Sequence, residues 1–368
     1  MVADNLTSFF VIVNFGSLIL LSFLSLANPL KANHIANRLL GVFFLLWASF
    51  WADEISFLVY NIELNQKWQL FFRGLQYFTP ILFYFIVIFY SNPGFKFKKN
   101  TLLHLFLPVG YVILLYYFDI SQSVKINYVL IGMMLSQAFF YITASFFRIR
   151  RHQKAVLLYS SQTSEIDLLW LEKIVKGLIL IVITIIFYNI IFSLKQLNLT
   201  MNVIILIGIF YTAYHSMKQR EIYPFKEAAI EEIISLSEEP EIGELKKKII
   251  TDEELIILKS QLTQFMLIQK PYLDSDLNLV KLADLFGTST HKLSYIINTG
   301  FNLNFFNFIN KHRVEEAKLL LLSTKMDQYS ILGIAYQAGF NSKTAFNTTF
   351  KKFVNQTPRD YINSSSTL

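Results

Sequence analysis

The sequence predicts an all-α protein: a seven-helix transmembrane bundle followed by a soluble domain built on two helix-turn-helix units. Three observations carry that expectation. Hydrophobic residues make up 54% of the 368 residues and charged residues 16%, whereas a soluble domain is about one quarter charged. The imbalance is uneven: residues 1–217 are runs of Phe, Leu, Ile and Tyr, and residues 218–368 have the mixture of an aqueous protein. Finally, SILGIAYQAGFNSKTAFNTTFKKF, residues 330–353, sets two short helical patterns on either side of a glycine turn. The expected division is a membrane domain 1–217, a linker 218–250 and a soluble domain 251–368.

Seven apolar segments are long enough, or nearly so, to cross about 30 Å of hydrocarbon. They lie near 6–27, 39–60, 70–90, 102–118, 126–147, 174–194 and 201–217, the fourth being the shortest. The N-terminal MVADNLTS has neither a basic n-region nor a small-residue cleavage pattern after the first apolar run, so that run reads as a retained membrane helix. Basic residues crowd every second connection: Lys31 and Arg38, then Lys96, Lys98 and Lys99, then Arg148, Arg150, Arg151 and Lys154, and finally Lys218, Arg220 and Lys226. The positive-inside rule places these in the cytoplasm. The N-terminus is then outside and the soluble half inside.

Polar residues within the spans are few. Asp53 and Glu54 in the second and Arg73 in the third carry opposite charges at similar depth. They predict an ion pair between neighbouring helices, either structural or part of an outward-facing sensor pocket, or else charges that snorkel to the interface. His104, Gln137 and Asn189 read as interhelical hydrogen-bonding groups, and Trp47, Trp51 and Trp68 as an interface belt. The spans lack the repeated broken helices of transporters. The fifth connection, 148–173, is long and holds Ile166, Leu168, Leu169 and Leu171 among acidic residues. It reads as a short helix on the inner membrane face or against the soluble half, or as an early start to the sixth span.

In the linker, EAAIEEIISL (227–236) is an acidic amphipathic helix, broken by Pro240 and Gly243 and followed by Lys246, Lys247 and Lys248. It has too few heptads for a coiled coil, though it leaves a contact between two copies, a homodimer, open. Thr251 and Glu254 form a capping box opening a helix that ends before Pro271.

Two units of one plan follow, at 279–298 and 331–352. In the first, Leu279, Leu282, Ala283 and Leu285 form an apolar face, Gly287 turns the chain and Ser289 caps a helix. That helix sends Leu293, Ile296 and Ile297 inward and Thr290, His291, Lys292 and Tyr295 outward. In the second, Ile331, Ile334 and Ala335 precede Gly339 and the cap Asn341-Ser342. Ala345, Phe346 and Phe350 then face inward and Lys343, Thr344, Asn347, Thr348 and Lys351 outward. The intervening 304–322 has no Gly or Pro and would form a rod of roughly 27 Å, against about 34 Å between major-groove entries on one face of B-DNA.

Residues 252–362 resemble the DNA-binding domain of the AraC/XylS family of bacterial transcription regulators. The likeness rests on Leu282-Ala283, Gly287, Ser289, Leu293, Arg313 to Leu321, Ile331, Ile334-Ala335, Gly339-Phe340, Phe346, Phe350-Lys351-Lys352, and Thr357-Pro358 with Tyr361. Asn355 replaces the family's usual Gly, and Ile362 its usual Arg. The membrane half resembles, more loosely, membrane-anchored regulators that fuse a helical bundle to this domain.

The resemblance, with the helix positions, implies base-edge contacts from Thr290, His291, Tyr295, Lys343, Thr344, Asn347 and Thr348. It implies phosphate contacts from Ser289, Lys292, Lys311, Arg313, Ser342, Lys351 and Lys352, with an ion pair to Glu316 or a neighbouring helix, structural in effect, as the rival role for Arg313. The implied partners are double-stranded DNA, the lipid bilayer and a small-molecule or membrane signal, with the protein held in the bacterial cytoplasmic membrane. The net charge of +7 suits phosphate partners and basic membrane loops alike. The chain has no cysteine, its six histidines are scattered, and it carries no Walker loop, nucleotide fingerprint or nucleophile elbow. No cofactor, metal site or enzymatic activity is therefore expected.

Overall fold

The computed structural model describes residues 2–29, 31–121, 123–163, 166–191, 197–219, 250–323 and 328–365. Among these the regular structure is helical, with no strand. The chain divides into two compact units: Met1–Arg150 with Leu168–Tyr223, and Arg151–Asp167 with Pro224–Leu368. The linker features expected at 227–248 lie outside the described residues.

The first unit contains α1 (Val2–Ala27), α2 (His34–Ala48), α3 (Ala52–Tyr60), α4 (Gln66–Gln76), α5 (Thr79–Ser91), α6 (Phe106–Ser121), most of α7 (Val124–Tyr159), α8 (Leu169–Ile191) and α9 (Leu197–Lys218). Six described helical stretches are long and apolar enough to cross a membrane: 5–27, 34–60, 66–91, 99–120, 124–159 and 199–218. That is one fewer than the expected seven. The remaining expected span, 174–194, falls on α8, whose side chains from 181 lie outside the described residues.

Two of the stretches are interrupted, against expectation. A 3₁₀ turn at Ser49–Trp51 separates α2 from α3, and residues 77–78 with Pro80 separate α4 from α5. Short 3₁₀ pieces and prolines are the usual causes of such breaks. Gln76 Nε2 donates to Ser49 O at 3.1 Å, tying one break to the other.

The break at Ser49 also decides the fate of the expected Asp53/Glu54–Arg73 ion pair, which does not form among the described residues. Asp53 and Glu54 fall in the first turn of α3, and Arg73 in the last turn of α4. Each charge is thus met by the favourable end of its own helix dipole. All three are exposed, and Asp53 Oδ1 accepts the amide of Leu64 at 3.0 Å.

Buried polar groups stitch the helices together. Asn14 Nδ2 donates to the backbone and side-chain oxygens of Asn202, both at 3.1 Å, and Trp51 Nε1 donates to Asn202 Oδ1 at 2.9 Å. Trp51 is therefore a buried packing residue rather than part of an interface belt. His104 Nδ1 lies 2.6 Å from Tyr141 Oη, and Gln137 Nε2 donates to Tyr77 O at 3.0 Å, the interhelical roles their isolation suggested. Gly41 lets α2 approach α1 closely: a Cβ there would lie 2.7 Å from Leu26 Cγ, and Ser22 Oγ donates to Gly41 O at 2.9 Å.

The second unit holds α10 (Asp252–Gln269), α11 (Leu279–Phe286), α12 (Thr290–Tyr295), α13 (Phe305–Leu321), α14 (Ile331–Gln337), α15 (Lys343–Val354) and α16 (Pro358–Ser365). Side-chain oxygens of Thr251, Asn278, Ser289, Asn304, Ser330 and Ser342 accept the third amide of the helix each precedes. Thr251 caps as expected. Glu254, however, does not return to it: its Oε1 takes Lys292 Nζ at 2.6 Å. The core at the C-terminal end joins Val314, Ala317 and Leu321 of α13 to Ile334, Ala335, Ala338, Phe340, Phe346 and Phe350, with Tyr361 and Ile362 packed against it. Ile362, standing where the family has Arg, thus adds apolar packing.

Candidate nucleic-acid interface

Gly339 and Ser342 shape the second helix-turn-helix. Ala338 ends α14, Gly339 follows at φ +90°, and the amide of Phe340 returns to Ala335 O at 3.0 Å. Ser342 Oγ then accepts the amide of Ala345 at 3.2 Å and opens α15. Phe346 and Phe350 anchor that helix in the core. Lys343, Thr344, Asn347, Thr348 and Lys351 form an exposed polar row on its other side. Asn355 ends it at φ +60°, doing the conformational work of the glycine it replaces.

Beside this row lies an open groove of about 610 Å³ lined by Ser330, Lys343, Asn347, Lys351, Thr357 and Arg359, among others. Arg359 has no role in the sequence reading, and Thr357 enters it only through the closing Thr-Pro of the likeness. Thr357 Oγ1 accepts the amide of Asp360 at 3.2 Å, capping α16, so Arg359 lies in that helix's first turn beside two lysines. The signal for it was a cation placed directly after Thr-Pro. Three positive side chains and a helix start give the groove the chemistry of a phosphate-backbone contact.

The first helix-turn-helix repeats the turn, with Gly287 at φ +73° and Ser289 Oγ accepting the amide of Lys292 at 3.3 Å. Its outer face differs. Thr290 and Ser294 stand at the same distances from their cap as Lys343 and Asn347, yet Thr290 is 4% exposed and Ser294 8%. Thr290 also shares a helical face with Leu293 and Ile297. A threonine is short enough to lie beneath its neighbours, so the expected base-edge role of Thr290 does not hold in this arrangement. His291, Lys292 and Tyr295 are half-buried, and Lys292 is engaged by Glu254.

Arg313 requires the largest correction. It was expected to reach phosphate, or else to pair with Glu316 or a neighbouring helix in a structural role; it takes the structural role, through carbonyl and hydroxyl oxygens and not through Glu316. It is fully buried. Nε donates to Tyr272 O at 2.8 Å, Nη2 to Asp274 O at 2.8 Å and to Ser161 Oγ at 3.1 Å, and Nη1 to Ser161 O at 3.4 Å. The guanidinium also lies 5.9 Å from the centre of the Phe340 ring. Burial lowers its pKa to about 10, with Asp274 and Asp276 opposing, so it stays charged at neutral pH. Glu316 is taken instead by Lys270 Nζ at 2.8 Å and by Tyr272 Oη at 3.2 Å. The remaining expected phosphate ligands are at the surface: Lys311, Lys351 and Lys352 are exposed, Lys352 Nζ donating to Asn307 Oδ1 at 2.8 Å.

A titratable group sits beside this knot. His312 stacks on Tyr272, centroids 5.5 Å apart, and meets Phe308 edge-on. Burial, helped by Lys311 and opposed by Glu315, holds its pKa below the ordinary value of 6.5. The unfolded chain therefore binds this proton at higher pH than the folded one. Stability contributed here is intact above about pH 6.5 and falls as the pH drops from there toward the folded value. His312→Phe is expected to flatten that part of the profile, checked by denaturation from pH 7.5 to 5.

A family model described as a helix-turn-helix domain matches residues 282–364, spanning both turn-containing pairs. The C-terminal part of this chain carries a helix-turn-helix domain. Relatives include uncharacterized HTH-type transcriptional regulators of Staphylococcus aureus strains COL, MSSA476 and N315, each 40% identical over 86 residues. The similarity covers 23% of this chain and only 11% of the length of those relatives. No solved structure matches the chain. The domain is a DNA-binding type, and its α15 carries an exposed polar row.

Proposed function

We propose that this protein is a membrane-anchored, one-component transcription regulator. Its helix-turn-helix domain binds specific duplex DNA from the cytoplasmic side of a bacterial membrane, and its apolar bundle anchors it and senses a signal. The observation that carries the reading is the exposed row Lys343, Thr344, Asn347, Thr348 and Lys351 on a capped helix within the matched domain. Asn347 is the residue best suited to an adenine edge, and Lys343 to guanine acceptors. Ser342, at the helix start, and Lys351, Lys352 and Arg359 suit phosphates. His291 and Tyr295 take base edges, and Ser289 and Lys292 phosphate, once the first unit's outer face is open to DNA.

The apolar helices support the membrane half of the proposal, and their polar interior supports sensing. Asp53, Glu54 and Arg73 are separate helix-end charges available to an outside signal. A bundle that serves only as an anchor is the second reading, favoured by the length and apolarity of the described helices alone. Genome-wide footprinting of the membrane-embedded protein tests DNA binding, and reporters fused after Met217 test topology. Loss of stimulus response on replacing 1–150 and 168–217 with an unrelated bundle, residues 151–167 being kept, separates sensor from anchor.

Asn347→Ala should cost about 1–3 kcal/mol for the preferred duplex and relax preference at one base pair. Lys351→Ala should weaken binding to every duplex and reduce the salt slope by about one counterion. Competition binding across a salt series checks both.

A further inference from the structure

Residues 160–162, from the connection that follows α7, are seated inside the second compact unit although residues 168–249 lie between their stretch, 151–167, and the unit's next described part. Ser160 forms an isolated antiparallel bridge with Asn278, the residue that caps α11. Ser161 is 2% exposed. Its Oγ donates to Leu277 O at 2.5 Å and accepts from Arg313, while its carbonyl accepts from Asn310 Nδ2 at 3.1 Å. Gln162 Nε2 donates to Ser275 O, and Gln162 Oε1 accepts from Asn341 Nδ2. Three residues thus touch the approach to the first helix-turn-helix, the connecting α13, and the turn of the second.

These contacts have two consequences. The buried donors of Asn310 and Arg313 lose acceptors if the segment leaves, and unmet buried polar groups are costly. The segment also spans both reading units, whose relative placement decides whether two helices can enter successive grooves. It continues directly from α7, one of the stretches long and apolar enough to cross a membrane.

We infer that residues 272–278, Asn310, Arg313 and Asn341 form a docking surface whose occupant is the 160–162 segment of the same chain. Seating this segment sets the geometry of the two reading units, and displacement of α7 reaches the DNA reader through it. The inference rests on the DNA-binding reading above.

The test uses the full chain in lipid nanodiscs. The absence of native cysteine makes Ser160→Cys/Asn278→Cys a clean probe, because bridge partners have Cα spacings compatible with a disulfide. Oxidation should give an intramolecular crosslink, and neither single variant should. Ser161→Trp, which overfills the pocket, should suppress crosslinking in that background and raise amide exchange at 272–278 and 310–317. The milder Gln162→Ala should do so in part. Oxidised and evicted forms should differ at least tenfold in half-saturating concentration on a random-sequence duplex pool at low salt.

No crosslink, or a crosslink only between two chains, overturns the same-chain assignment. A crosslink with identical DNA binding by locked and evicted forms makes the segment merely structural and overturns the relay. If no form, wild type included, retains DNA, the DNA-binding reading fails and the relay with it. Crosslinking and exchange still report the seat, so that failure is told apart from an empty one.

Discussion

Gly339→Ala should unfold or severely loosen the helix-turn-helix domain, with an expected loss of about 3 kcal/mol or more. Two penalties combine. At φ +90° an L side chain is strained by about 1–2 kcal/mol. A Cβ would also collide with Tyr272 O and stand 3.0 Å from Leu273 Cα and 3.1 Å from Arg313 Nε, and overpacking of this kind costs about 1–3 kcal/mol. The obstacle is backbone, so it cannot swing aside. Gly287→Ala is the internal control. Its φ is +73°, but nothing lies within 4 Å of the added carbon, so only the conformational penalty of about 1–2 kcal/mol should appear. Denaturation of the two variants, followed by amide exchange along α13, should rank Gly339→Ala well below Gly287→Ala. Equal losses would show that the close approach to Tyr272 is absent.

Arg313→Met should be comparably damaging, by about 2–4 kcal/mol, because the buried oxygens of Tyr272 and Ser161 lose their donor and each unmet buried group costs about 1–3 kcal/mol. Tyr272 O and Asp274 O would each lose a partner at 2.8 Å. Arg313→Lys keeps the charge but not the fork of donors and should fall between wild type and Met. A phosphate-contacting arginine would behave otherwise: stability would hold while affinity and its salt dependence fell. Measuring melting and DNA binding on the same samples separates these outcomes, with Lys351→Ala as the surface reference.

Arg313 also marks where sequence reasoning stops. Hydrophobic period, glycine turns and caps are local, and local features proved readable: Gly339 with Ser342, Gly287 with Ser289, and Phe346 and Phe350 turned inward. Asn355 in the left-handed region was legible because few residues other than glycine sit there comfortably. A charge, by contrast, reads as exposed unless its partners are in view. Those of Arg313 are carbonyls 39 to 152 residues away. Thr290 misled for a related reason, since polarity marks an outward position only when the side chain is long enough to reach past its neighbours. The Asp53/Glu54–Arg73 pairing assumed two unbroken helices, and the 3₁₀ turn at Ser49 turned its charges into helix-end residues.

The chain passes between its two compact units three times, at 150/151, 167/168 and 223/224. That threading bears on how such proteins can be recombined. A transplant spliced at the last junction alone would hand a new host bundle the reader while leaving its keystone tripeptide behind. Working hybrids should need residues 151–167 carried over together with the C-terminal part, as a matched pair of inserts.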